Sequence, residues 1–214
     1  MLPYQHQFLQ LAIQKQVLRF GEFTLKSGRL SPYFFNAGLF DDGQSLLSIS
    51  QCYADRITEC KISFDMLFGP AYKGIPLATG VSMCLAQRGL NVPVAFNRKE
   101  AKSHGEGGTL IGAPLKGRVL IIDDVITAGT AIRESIELIQ GSGAVVAGII
   151  IALDRQEKGI DSELSASQEI QQSFKIPVYS VIGLNDVMQY SSQRDELLQY
   201  QSALEHYRST YGVK

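Results

Sequence analysis

Near the start of the chain Phe8, Leu11, Ala12, Lys15 and Leu18 follow helical spacing, and Leu9 and Ile13 widen the apolar stripe. A period near 3.6 residues predicts an amphipathic helix over 4–19 whose work is packing. The pattern then shortens. Segments 22–25 and 33–37 read as strands of a small hairpin-like unit, separated by the polar turn Lys26-Ser-Gly-Arg-Leu-Ser-Pro32. From about residue 44 the pattern alternates: helix 44–60, strand 65–69, helix 73–88, strand 92–97, strand 118–123, helix 130–141, strand 144–153. Such alternation predicts an α/β fold with a mostly parallel central sheet flanked by helices. The unbroken apolar runs Val119-Leu-Ile-Ile122 and Ile149-Ile-Ile-Ala-Leu153 suit central strands buried on both faces. Residues 98–108 carry charge and glycine with no apolar period, and a stretch of that length without structure reads as a loop or lid. A polar helix at 161–174, a strand at 177–183 and a last helix at 193–208 complete the pattern.

Composition narrows the class. With 214 residues, 45% of them hydrophobic and 19% charged, the chain can bury a core and reads as one domain with small appendages. A net charge of -1 excludes the global field of a general nucleic-acid binder, while a local basic cluster could still hold a small polyanion. Cys52, Cys60 and Cys84 lie outside any close metal-ligand spacing and read as reduced thiols. The first residues lack a basic region ahead of an apolar stretch, and no segment approaches the roughly 20 apolar residues that span a bilayer. The expectation is a soluble, cytoplasmic protein with neither membrane nor nucleic-acid partner.

The segment richest in chemistry is 119–131, where a buried strand ends in Asp123 and Asp124 and is followed by Val125, Ile126, Thr127, Ala128, Gly129, Thr130 and Ala131. Two carboxylates at a strand's C-terminal end sit where open α/β sheets bind ligands, and they can accept hydrogen bonds from a sugar diol. The loop of small residues can offer N–H groups to a phosphate at a helix start, with Gly129 permitting close approach. Taken alone, an acid pair also fits a helix cap or a solvated loop. Gly69-Pro-Ala-Tyr-Lys-Gly74 is not a nucleotide P-loop, because its lysine precedes the glycine and no hydroxyl follows to hold magnesium. No G-x-G-x-x-G follows a strand either.

The order of aliphatics, acid pair and Thr-x-Gly-Thr closely resembles the signature of the type I phosphoribosyltransferases. Asp65 to Pro76 resembles that family's diphosphate loop, with Tyr72 and Lys73 at the ligand positions. Three more segments, Phe20–Gly38, Asn97–Gly108 and Leu153–Glu157, extend the likeness over nearly the whole chain, to the orotate phosphoribosyltransferases of the bacterial, short-chain kind. The resemblance implies the type I fold, with an N-terminal hood over 1–40 contributing to the base pocket and a lid over 98–108. It implies that Asp123 and Asp124 hold the ribose hydroxyls and the loop that follows holds the 5-phosphate. Lys26 falls near the reaction centre, Phe34 and Phe35 line the base pocket, and Thr127 and Arg155 contact orotate. An aromatic wall and a planar guanidinium suit a flat anionic pyrimidine. By spacing alone Arg155 fits a surface ion pair with Asp154 or Glu157, and one of the two phenylalanines is expected in the core. The family further implies a magnesium ion held mainly by substrate and water, with no direct protein ligand. It also implies a homodimer in which Arg98, Lys102 and His104 act on the neighbouring site while Lys99 serves its own. Two other readings stay open. A phosphoribosyltransferase for another base would keep 119–131 but lack Lys26, the phenylalanine pair and Arg155. A non-catalytic sensor of phosphoribosyl diphosphate would add a nucleic-acid surface.

Overall fold

The computed structural model describes residues 1–102 and 108–213, with side chains left out of account at 101, 102 and 108. Its centre is a six-stranded sheet in the order β5-β4-β3-β6-β7-β8. The strands are β3 (Met66–Gly69), β4 (Val94–Lys102), β5 (Gly108–Gly112), β6 (Arg118–Asp123), β7 (Val145–Asp154) and β8 (Val178–Gly183). All neighbours run parallel except β4 and β5. Before the sheet come helix α1 (Pro3–Gln14), the antiparallel pair β1 (Leu18–Thr24) and β2 (Leu30–Phe35), and helix α2 (Gly43–Cys60). Helices α3 (Gly74–Gln87), α4 (Thr130–Gly141), α5 (Ala166–Phe174), α6 (Leu184–Ser191) and α7 (Gln201–Tyr211) follow, and none of the described helices is long and apolar enough to cross a membrane.

The continuous apolar strands split by parity, as side chains of period two must. Leu67, Leu120, Ile122, Ile150, Ala152 and Val181 enter one cluster, with α1, α2, α3, α6 and α7, and Leu153 and Ile182, near the ends of β7 and β8, join it out of alternation. Met66, Phe68, Val119, Ile121, Ile149 and Ile151 enter the other, closed by residues of α4 and α5. Burying one such side chain is worth about 1.5–3 kcal/mol, so two filled faces hold the middle strands rigidly. Caps set the helix starts. Asp42 accepts from the Ser45 N–H at 2.7 Å, and Ser165 exchanges bonds with Gln168.

Several expected boundaries move. The first helix stops at Gln14 rather than 19, because the chain reverses through Gln16 at φ 57° and β1 has begun by Leu18. The stretch expected to be structureless from residue 98 continues β4 as far as Lys102, and Gly108–Gly112 returns beside it as β5. Residues 103–107 lie outside the described part. The polar helix begins at Ala166, where Ser165 caps it, rather than at 161. The last expected helix resolves into a 3-10 segment, Asp195–Tyr200, and α7, with α6 ahead of them.

Candidate active site

Parallel strands bring their C-terminal ends to one edge of the sheet. There Gly69 ends β3, Asp123 ends β6 and Asp154 ends β7, while β4 runs past the edge and carries Arg98 and Lys99 beyond it.

Asp123 and Asp124 are each only 7% exposed. The Asp124 N–H donates to Asp123 Oδ1 at 2.9 Å, and the Asp123 carbonyl accepts from the hydroxyl of fully buried Tyr53 at 2.7 Å. The Asp124 carbonyl accepts from the N–H of Ala152 at 2.8 Å, which fixes the turn against β7. Burial pushes the Asp123 carboxyl up to about 7, with the neighbouring Asp124 charge adding to the rise and Lys73 opposing it. Lys73 Nζ donates to Asp124 Oδ2 at 2.8 Å, so the two loops singled out separately in the sequence meet in one place.

Between β3 and α3 the backbone is crowded. A Cβ on Gly69 would stand 2.3 Å from the Gly74 carbonyl oxygen, and one on Gly74 would stand 2.8 Å from that of Ile122. The Ala71 N–H donates to Asn97 Oδ1 at 2.8 Å, which ties this turn to β4, and the Ala71–Tyr72 peptide is cis. Tyr72 is exposed, and Lys99 Nζ lies 5.2 Å from its ring centroid. After the acid pair, Thr127, Ala128, Thr130 and Ala131 are exposed, Val125 is half-buried, and Ile126 and Gly129 are buried. Gly129 takes φ 75°, a left-handed conformation that suits glycine, and hands the chain to α4. Among the described residues no acceptor takes the N–H groups of residues 127–131, which leaves a cradle of donors at a helix N-terminus.

Of the residues expected around the base, Lys26 is exposed in the β1–β2 turn. Phe34 lies outward, its ring centroid 5.6 Å from that of Phe23, whereas Phe35 packs on the core beside Phe8 at 6.4 Å. Arg155 pairs with Glu157, Nε to Oε1 at 2.9 Å. That is the partner spacing favoured, but the pair is largely buried rather than on the surface. Arg98 has a buried Nη1 without a partner among the described residues. The Lys102 side chain is not described, and His104 lies outside the described residues. Tyr53 and Asn97 were missed. A tyrosine on the buried stripe of a helix and an asparagine at a strand end carry no local signal of what they meet.

Residues 39–180 match the family model described as phosphoribosyl transferase domain. Orotate phosphoribosyltransferase of Cronobacter sakazakii is 56% identical over 214 residues, covering 100% of both chains. That of Marinobacter nauticus is 58% identical over 213 residues, again 100% of each. Among solved structures, orotate phosphoribosyltransferase of Francisella tularensis superposes with a TM-score of 0.87 at 45% identity, over 96% of this chain and 98% of the other.

Proposed function

Because the chain belongs to the orotate phosphoribosyltransferases of the phosphoribosyl transferase family, we propose a division of labour in its site for moving ribose 5-phosphate from 5-phosphoribosyl-1-diphosphate to orotate. The products are orotidine 5'-phosphate and diphosphate, and the step serves pyrimidine nucleotide synthesis in the cytoplasm. Orotate N1 gives up its proton and forms the bond to ribose C1 as the C1–oxygen bond to diphosphate breaks, with inversion and an oxocarbenium-like transition state.

Asp123 and Asp124 accept the ribose hydroxyls, and Asp124 sets negative charge near the developing cation. The N–H groups of 127–131 and the start of α4 hold the 5-phosphate. Tyr72 and Lys73 receive the diphosphate, Lys73 turning from Asp124 toward the incoming anion. Lys26 approaches the reaction centre, Phe34 and Phe35 with the rest of the 1–40 hood wall the base, Thr127 touches its edge, and Arg155 pairs with its carboxylate. In a homodimer, Arg98, Lys102 and His104 from the 98–108 lid reach the neighbouring site, and Lys99 stays with its own.

A magnesium ion here would be held mainly by substrate and water, with no direct protein ligand, and among the described residues no group of three metal-binding side chains stands at the site. Brought in with the substrate, magnesium would neutralise diphosphate charge.

The observation that carries this reading is the Lys73–Asp124 contact, which joins diphosphate loop and ribose acids in one place. Orotate consumption with phosphoribosyl diphosphate and magnesium tests it, with uracil and adenine as controls. Turnover of orotate alone is expected, and turnover of another base in its place would reject the base assignment.

A further inference from the structure

Arg155 is held on one side by a cluster drawn from three parts of the chain. Its Nε donates to Glu157 Oε1 at 2.9 Å and its Nη2 to Glu157 Oε2 at 3.2 Å, so the carboxylate grips one edge of the guanidinium. Nη2 also lies 3.1 Å from Ser31 Oγ and 3.3 Å from the Tyr207 hydroxyl. That hydroxyl donates in turn to Glu157 Oε2. The ring of Tyr33 stands 4.3 Å from the guanidinium carbon. Nη1 takes no part in these bonds.

The cluster is enclosed. The Arg155 and Glu157 side chains are 14% and 18% exposed, and Tyr207 is 3% exposed. Arg29 straps the same junction, donating to the carbonyls of Lys158 and Gly159 at 2.7 and 2.8 Å beneath the ring of Tyr211. Strand β2, which supplies Ser31 and Tyr33, continues into Phe34 and Phe35. The C-terminal helix α7, which supplies Tyr207, packs against β2.

We propose that Glu157 and Tyr207 are positioning residues for the base. They hold the Nε–Nη2 edge of Arg155 so that Nη1 is the group left to donate to a carboxylate, which makes α7 part of base selection. The proposal rests on Arg155 as the partner of the orotate carboxylate. Its chemistry is that of a preset donor. An arginine free to rotate loses side-chain entropy on binding, whereas one already clamped does not. With Glu157 offsetting its charge, Arg155 also selects by the direction of its N–H groups rather than by attraction to any anion.

Tyr207→Phe and Glu157→Gln keep shape while removing the hydroxyl and the charge. Each is expected to raise KM for orotate about five- to tenfold, the scale of the net contribution of one ordinary hydrogen bond. KM for phosphoribosyl diphosphate and kcat at saturating orotate should stay within about twofold of the parent. Because both residues act through Arg155, adding Tyr207→Phe to Arg155→Lys should raise KM for orotate little beyond Arg155→Lys alone. Melting curves of each variant separate these effects from loss of fold. Equal shifts in both substrates, no shift in either, or full additivity with Arg155→Lys would overturn the clamp. If Arg155→Lys itself spares KM for orotate, the carboxylate contact falls and the clamp with it. If Arg155→Lys raises it while Tyr207→Phe and Glu157→Gln do not, the contact stands and only the clamp falls.

Discussion

At the scale of single residues, the acid pair divides its work unequally. Asp124 holds the Lys73 ammonium, so its charge is compensated, whereas Asp123 lies behind it against Tyr53 and is pushed up to about 7 by burial. Asp124→Asn should leave the fold intact and lower kcat/KM by roughly 2 kcal/mol or more in transition-state terms, the scale of one preorganised polar group. Kinetics equal to the parent would remove the pair from the mechanism. Asp123 makes a stability prediction of defined sign. A carboxyl raised in the folded state favours folding while protonated, so its contribution is complete below the unfolded value near 3.8 and is lost as pH rises to about 7. Asp123→Asn escapes that loss. Its stability relative to the parent should climb between pH 4 and 7 and level off above, by about 2–4 kcal/mol, as followed by urea unfolding at each pH. A difference independent of pH would show that Asp123 is not held protonated by its surroundings. The pair itself was legible because acids, aliphatics and loop lie within 13 consecutive residues, 119–131. Its partners were not, since Tyr53 is 70 residues from Asp123 and Lys73 is 51 from Asp124.

At the scale of elements, the β3–α3 turn carries the tightest packing at the site. The Cβ of Gly69→Ala would meet the backbone of Gly74 at 2.3 Å, which no side-chain rotation relieves. This substitution should destabilise the protein by about 2–4 kcal/mol and weaken phosphoribosyl diphosphate binding, read by denaturation and by titration. A variant with parental stability and affinity would show that the turn is free to open. The buried strands and the amphipathic helices were legible because burial leaves a period in the sequence. The β4–β5 pair was not, because β4 runs on through the charged residues 98–102 and pairs with β5 through backbone at Asn97 and Lys102, which needs no apolar residue. Helix α6 spans only 8 residues, too few for a period to stand out. The end of α1 turns on one left-handed residue, Gln16, which is not glycine and gave no stop signal.

At the scale of the whole molecule, alternation of strand and helix predicted the edge at which Gly69, Asp123 and Asp154 meet, because parallel strands deliver their loops to a single edge. It could not place β1 and β2, whose flanking and internal residues Arg29, Ser31 and Tyr33 reach loops more than 120 residues away. If Lys102 serves the partner's site, as the proposed homodimer requires, lid and ribose lesions can be separated by subunit exchange. Take Lys102→Ala, which damages the lid, and Asp124→Asn, which damages the ribose site, each nearly inactive as a homodimer. In a heterodimer both lesions then fall in one site and the other site is intact. Random reassortment of an equal mixture makes about half the dimers heterodimers, each with one sound site of two, so activity should return to about a quarter of the parent. If lid and ribose site belonged to the same chain, every site in the mixture would carry one lesion and nothing would return. Recovery on mixing, with exchange followed by differently tagged subunits, therefore decides whether two chains build each site. A mixture as inactive as its parents would refute the shared site while leaving the acid pair, the phosphate loop and the Arg155 clamp to their own tests.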